Sequence, residues 1–181
     1  MKDSGVEWLG EIPAHWNVKR VHQSCLKVTD GAHISPDTTA SDFPFISTVD
    51  ITDGEIDFDG CLRTSAQSYA YMERTGCRPR RGDVLFSKDG TVGTTAVVTT
   101  DRDFAVASSL VILSPDTRQL DSRWLDYWLN SAFIRDGVEL LLAGAALRRI
   151  SVAKVARLPL PLPSSLGEQQ AIADLLARET A

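Results

Sequence analysis

The segment from Arg81 to Gly93 carries a group of side chains that could contact another molecule. Its apolar run at residues 84–86 is typical of a strand, Asp89-Gly90 of a tight turn, and residues 94–98 of the returning strand, which together predict a β-hairpin. The tip would present four polar side chains: Ser87, Lys88, Asp89 and Thr91. None of them is a nucleophile beside a partnered base. We therefore predict a contact surface without catalysis, and an ordinary surface hairpin is the alternative.

Two other places supply groups that could bind anions. Residues 144–158 contain four bases and no acid, and two of these bases, Arg148 and Arg149, are adjacent. Adjacent arginines cannot both point inward, so at least one is expected to face solvent or an anion. His33 lies in a predicted loop at residues 29–36, where its ring could donate to a base edge or a phosphate, or could close the loop. Both interpretations of His33 stay open.

Metal binding is disfavoured by the spacing of the acids and cysteines. Residues 55–60 resemble the opening of an EF-hand loop, but the twelfth position is Ala66, where a bidentate Glu is needed. We expect these alternating acids to lie on a solvent-facing strand edge. The three cysteines are widely spaced and fit neither a zinc site nor a disulfide framework, so we expect buried reduced thiols.

Composition bounds the class of protein. The chain has 181 residues, 43% hydrophobic and 24% charged, which fits one globular domain with a sizeable core. No apolar run reaches membrane-spanning length and no secretory signal is visible, so we expect a cytoplasmic protein. The net charge of −5 argues against indiscriminate nucleic-acid binding, although seven acids within residues 37–60 are separated from the basic segment at 144–158.

Strand patterns precede helical ones along the chain. Strands are predicted at residues 18–28, 45–49 and 104–113, and helices at 65–74, from Asp121 or Ser122 to Phe133, and at 135–143 with Gly144 as the stop. The proline-rich residues 158–163 predict an extended strap. We expect one domain over residues 1–163, followed by the start of a spacer helix over residues 164–181. This helix has a narrow apolar stripe that would pack on another helix; the stripe comprises Ile172, Leu175 and Leu176.

Four motifs occur in an order that resembles a known family. They are MKDSGVEWLGEIPAHW at residues 1–16, TDGAH at 29–33, GDVLFSKDGTVG at 82–93, and LPLP at 160–163 followed by EQQAI at 168–172. Together they resemble the specificity subunits of type I restriction-modification systems. The resemblance implies an α/β target-recognition domain with a strongly curved, mostly antiparallel sheet and flanking helices, continuing into a spacer helix.

The resemblance also implies a role and partners. The domain would read one half of a bipartite site in double-stranded DNA, bind no cofactor and catalyse nothing. The whole subunit would dock two methyltransferase subunits, which use S-adenosylmethionine, and recruit a motor-nuclease subunit. Family members usually carry two recognition domains, so we expect a fragment of a longer protein, with a half-subunit that pairs with a second copy as the alternative.

Combining the residue types with this resemblance gives candidate DNA contacts. Lys88, Arg148 and Arg149 are predicted to contact phosphates or guanine, and a second group is predicted to contribute to the base-reading surface: His33, Ser87, Asp89 and Thr91. One rival is a DNA methyltransferase or nuclease, but the chain lacks the Asn-Pro-Pro-Tyr and Asp-Pro-Pro-Tyr tetrads and a completed nuclease motif. The other rival is a protein-interaction module that does not bind DNA.

Overall fold

The computed structural model describes residues 1–142 and 148–179. Strands dominate the first two thirds of the chain and helices the last third. The strands are β1 (Lys2–Asp3), β2 (Glu11–Ile12), β3 (Asn17–Arg20), β4 (Cys25–Asp30), β5 (Phe43–Ile46), β6 (Ile51–Thr52), β7 (Glu55–Ile56), β8 (Leu62–Thr64), β9 (Val84–Ser87), β10 (Thr95–Val97), β11 (Ala105–Val106), β12 (Leu110–Pro115) and β13 (Pro159–Leu162). The helices are α1 (Val21–Ser24), α2 (Ala66–Arg74), α3 (Ser122–Leu129), α4 (Ala132–Leu142), α5 (Val152–Ala156) and α6 (Leu166–Glu179).

A four-stranded antiparallel sheet in the order β10-β9-β12-β4 forms the centre of the fold. Its two inner strands alternate between two separate hydrophobic clusters. Val84 and Phe86 pack with α3 and α4 on one face, whereas Leu85 packs with Ile112 on the other. Because successive side chains of a strand point to opposite faces, a strand buried on both faces must be apolar throughout. This explains the unbroken apolar run at residues 84–86.

Smaller sheets surround the central one. The order β11-β5-β8 forms a second sheet in which β11 and β5 are parallel, and β13 pairs with β3 alone. The β13 strap lies against α3, where the carbonyls of Pro159 and Pro161 accept hydrogen bonds from the indole N–H groups of Trp128 (2.7 Å) and Trp124 (3.1 Å). The predicted extended strap and the predicted mixed α/β class with mostly antiparallel pairing are confirmed.

Helix predictions were accurate where a cap accompanied the periodicity. Ser65 caps α2, and Asp121 caps α3 by accepting from the backbone N–H groups of Arg123 and Trp124. Helix α3 ends at Leu129, however, and Phe133 belongs to α4, which begins at Ala132, three residues before the predicted start. The predicted stop at Gly144 lies outside the described residues.

Several strand predictions were wrong in extent. The helical turn α1 interrupts the predicted strand at 18–28, and residues 107–109 interrupt the one at 104–113. The acids of residues 53–59 do not line a continuous strand, since Asp53 and Gly54 form a positive-φ turn between β6 and β7. The three thiols are free as predicted; Cys61 and Cys77 are buried and Cys25 is partly buried.

A buried carboxyl group joins the central sheet to α3. Asp126 accepts a hydrogen bond of 2.5 Å from the Thr95 hydroxyl of β10, and burial raises its pKa above the ordinary 3.8. The folded chain therefore binds the carboxyl proton of Asp126 more tightly than the unfolded chain does. Above pH 3.8, unfolding releases this proton. Across this pH range, rising pH lowers the contribution of Asp126 to stability.

We predict that Asp126→Asn reduces the pH dependence of stability. The amide can still accept from Thr95 but has no proton to release. The free energy of unfolding of the variant should therefore fall less than that of the native chain as the pH rises from about 4 towards neutrality. Urea titrations of both proteins at matched pH values measure this difference, and parallel pH profiles would contradict it.

Candidate nucleic-acid interface

The loop after β9 contacts the segment that follows α4, although the two are 60 residues apart in sequence. Asp89 and Arg149 form an isolated antiparallel bridge, and the backbone N–H of Ile150 donates to the carbonyl of Lys88 at 3.0 Å. The Arg149 Nε also donates to Asp89 Oδ1. The structure therefore brings the hairpin loop and one of the two predicted arginines onto a common face.

Lys88 lies beneath this face. Its side chain is only 8% exposed, and its Nζ lies 3.9 Å from Asp30 Oδ2 and 3.7 Å from Asp89 Oδ2. A buried ammonium group requires nearby anions, because removing it from water costs several kcal/mol. The prediction that Lys88 is presented at an exposed hairpin tip is therefore wrong, since the two carboxylates hold it inside.

The predicted exposure of Ser87 also differs from the structure. It is fully buried at the end of β9, and its hydroxyl donates to the Asp89 carbonyl at 2.9 Å. It lies 3.3 Å from the Thr48 hydroxyl as well. The Ser87 hydroxyl is therefore held between the hairpin loop and Thr48, so its side chain stabilises the loop from within. Its predicted presentation at the tip is wrong.

The exposed members of the predicted set are His33, Thr91, Arg148 and Arg149. The His33 Nε2 lies 2.7 Å from Asp30 Oδ2, so Asp30 contacts both His33 and Lys88. This contact fits loop closure, while the 69% exposure of the ring leaves it accessible to a partner. Thr91 is the middle residue of a seven-residue loop, residues 88–94, which replaces the predicted tight turn.

Both arginines face solvent. Arg148 and Arg149 have side chains that are 58% and 62% exposed, and each contacts a carboxylate, Glu139 of α4 and Asp89 respectively. A guanidinium group has five N–H donors in a rigid fork. Arg149 donates to Asp89 through Nε alone, and neither of its terminal nitrogens forms a hydrogen bond among the described contacts. An arginine held in this way can donate two parallel hydrogen bonds to a second partner.

These contacts form a continuous chain of alternating charge, which we call the polar row. It comprises His33, Asp30, Lys88, Asp89 and Arg149. With a neutral His33 the row carries two cations and two anions, so its net charge is zero. The face can therefore present a positioned arginine although the chain is acidic as a whole.

Asp30 and Glu139 were missed by the sequence analysis; the position of Asp30 within the TDGAH motif was the available signal.

The predicted partner stripe on α6 is partly used within the domain. Helix α6 packs on α3, and its residues Gln169 and Ala173 are buried. Gln169 accepts from the backbone N–H of Asp121 at 2.9 Å. Ile172 contacts the main hydrophobic cluster, and Leu176 is half-buried, whereas Leu175 is 55% exposed. Only Leu175 of the three is therefore largely available to another helix.

Residues 1–142 and 148–179 contain neither a metal-binding cluster nor a membrane-spanning helix. No group of three His, Cys, Asp or Glu side chains in these ranges is arranged to hold a metal ion. No helix in the same ranges is both long and apolar enough to cross a membrane.

Comparison with known proteins identifies a family. Residues 15–180 match the family described as "Type I restriction modification DNA specificity domain". No protein with a curated description matches the chain.

Solved structures share its fold. The HsdS subunit from Thermoanaerobacter tengcongensis superposes with a TM-score of 0.66 at 24% identity, covering 93% of this chain and 38% of that one. The type I restriction-modification S subunit from M. genitalium superposes with a TM-score of 0.61 at 19% sequence identity. The match covers 92% of this chain and 40% of that one. A chain from a study of complex assembly and conformational transition of the type I R-M system superposes with a TM-score of 0.70 at 22% sequence identity. The match covers 94% of this chain and 40% of that one. The present chain thus spans about two fifths of each of these relatives. It belongs to the family of type I restriction-modification DNA specificity domains.

Proposed function

We propose that this domain recognises one half of a bipartite DNA target as part of a type I specificity subunit. The observation that carries the proposal is Arg149, exposed on the same face as the hairpin loop and held at Nε by Asp89. An arginine fork pairs with O6 and N7 of guanine in the major groove, or with two phosphate oxygens. Arg149 is therefore the proposed direct contact.

The rest of the polar row supports that contact. Buried Lys88 lies within 3.7 Å of the Asp89 carboxylate, and Asp89 in turn fixes the guanidinium of Arg149. We assign Asp89 and Lys88 as positioning residues, since neither projects beyond the row. Arg148, His33 and Thr91 are exposed around it and remain the predicted neighbouring contacts.

The proposal is tested by titrating duplex DNA with the specificity subunit assembled with its modification subunit. Binding through phosphate contacts predicts that the logarithm of affinity falls linearly with the logarithm of salt concentration. A sequence-reading domain also predicts that one duplex is preferred over its scrambled version at every salt concentration. Equal binding of both duplexes would leave only non-specific attraction and would contradict the proposal.

Covalent chemistry is assigned to partner subunits. The proposed partners are methyltransferase subunits that use S-adenosylmethionine and a motor-nuclease subunit, and the reaction would take place in the cytoplasm. Incubating duplex and labelled S-adenosylmethionine with this chain alone should transfer no methyl group, while addition of a modification subunit should restore transfer. Methyl transfer by the purified chain alone would favour the rival enzyme hypothesis.

The second half-site requires a second recognition domain. It would be supplied by another domain of the same polypeptide or by a second copy of this chain. Sedimentation of the specificity subunit distinguishes these arrangements by its mass: a single copy per complex fits the first and two copies fit the second.

A further inference from the structure

A cleft of about 470 Å³ opens on the domain beside residues 1–16, which we call the N-terminal arm. It lies between that arm, α4, α5 and the start of β13. Most of its described lining is apolar, three lining residues are cationic and none is acidic: Trp8, Arg20, Gly137, Leu140, Leu141, Lys154, Arg157, Leu158 and Pro159. No part of the polar row lines this cleft.

The apolar part of the cleft is exposed. Leu140 and Leu141 are adjacent in α4 and are 69% and 43% exposed. The Trp8 ring, which also lines the cleft, lies against Gly137, where an added Cβ would be 3.3 Å from the ring. Removing large apolar side chains from water is favourable. Two exposed leucines flanking a recess therefore favour an apolar occupant.

Among the described residues, none of the three cations of the cleft has a carboxylate partner. Arg20 donates through Nη1 to the carbonyl of Arg157 at 3.2 Å. In the described part of the chain, neither Lys154 nor Arg157 forms a side-chain ion pair, although Arg148 and Arg149 each contact an acid. Three cations beside a low-dielectric recess create a local positive potential. An anionic partner would neutralise it.

We propose that this cleft docks an amphipathic helix of a partner protein that carries carboxylates beside its apolar stripe. Large apolar side chains would contact Leu140 and Leu141, and acidic side chains would pair with Lys154, Arg157 and Arg20. This is helix-in-groove recognition, with anchors at spacings i, i+3, i+4 and i+7. Duplex DNA fits less well, because its phosphate backbone offers no apolar surface to the two leucines.

Selection from a displayed library of random helical peptides of about four turns tests the proposal. The intact chain serves as bait, and the selected peptides are then measured by fluorescence anisotropy. Peptides with an apolar stripe flanked by Glu or Asp are expected. Substituting Lys for their acids, or Ser for their leucines, should weaken binding by about tenfold or more.

Matched variants of the chain locate the binding site. Leu140→Ser, and the pair Lys154→Glu with Arg157→Glu, should each weaken the selected peptides by about tenfold or more. Val49→Ser alters an 86% exposed side chain elsewhere, and Arg178→Glu reverses a charge on α6; both should bind as the native chain does. Thermal melts establish that each variant is folded.

Three outcomes would overturn the proposal. The first is recovery of no peptide, or of peptides without acids. The second is binding that is insensitive to Leu140→Ser and to the charge reversals. The third is displacement of the selected peptides by duplex DNA, or by vesicles of phosphatidylserine and phosphatidylcholine, which would assign the cleft to a nucleic acid or to a lipid surface.

Discussion

Arg149→Ala is expected to weaken binding of the preferred duplex by about 5- to 150-fold, the effect of losing one good bidentate base contact. The substitution removes the exposed guanidinium fork and also leaves Asp89 without its cationic partner at the face. Lys88 remains 3.7 Å from Asp89 but is shared with Asp30, so the polar row then carries one net negative charge. This charge adds repulsion from the phosphates to the lost contact. Anisotropy titrations of the assembled complex at one fixed salt concentration measure the change.

Two further variants separate the causes. Arg149→Lys keeps the charge but loses the fork, so full recovery of affinity would show that charge alone matters. Arg149→Ala combined with Asp89→Asn removes one cation and one carboxylate together, so the net charge of the polar row is unchanged and the effect of the lost contact is isolated. Arg178→Ala, on exposed α6, removes the same charge elsewhere and should change affinity little. Unchanged duplex binding by Arg149→Ala would remove Arg149 from the interface.

Gly31→Ala is expected to destabilise the fold by about 3 kcal/mol or more, at the upper end for overpacking, because the new methyl group meets rigid backbone. A Cβ at Gly31 would lie closer than 3.0 Å to the backbone oxygens of Val106 and Ala107. These oxygens belong to a segment fixed by hydrogen bonds, including Ala32 N–H to Val106 O at 2.8 Å. The chain must separate there, which would also displace Asp30 of the polar row.

Denaturant unfolding measures this loss, and Gly167→Ala is the matched control. An added Cβ at Gly167 meets only the Ser165 hydroxyl, at 4.0 Å, and this glycine lies in the first turn of α6. Replacing it should leave stability unchanged or raise it by about 0.5 kcal/mol, because Gly disfavours helix. Equal stabilities of the Gly31→Ala variant and the native chain would contradict the close approach.

Sequence patterns predicted the local elements better than the contacts between them. The hairpin strands and the helices α2 and α3 follow from hydrophobic periodicity, turn residues and caps, which act over a few residues. The burial of Ser87 and Lys88 does not, because it depends on β12, Thr48 and Asp30, which approach β9 from distant parts of the sequence. A lysine near a glycine turn looks exposed until its distant carboxylate partners are known.

The adjacent arginines illustrate the same limit of prediction from sequence. The sequence indicated that at least one of Arg148 and Arg149 faces solvent, and both do. It could not indicate that Asp89 would hold Arg149, since that contact depends on the bridge between the hairpin loop and the segment after α4. The predicted division at residue 163 remains a prediction, while α6 contacts the domain through Gln169 and Ala173.

The most direct test of DNA recognition is to sequence the duplexes that the assembled complex retains from a pool with randomised base pairs. We expect a short block of fixed base pairs that is contributed by this domain, and a relaxed preference at one or more of its positions in the Arg149→Ala complex. A complex that retains duplexes without enriching any such block, or whose enriched block is identical after Arg149→Ala, would contradict sequence reading by the polar row.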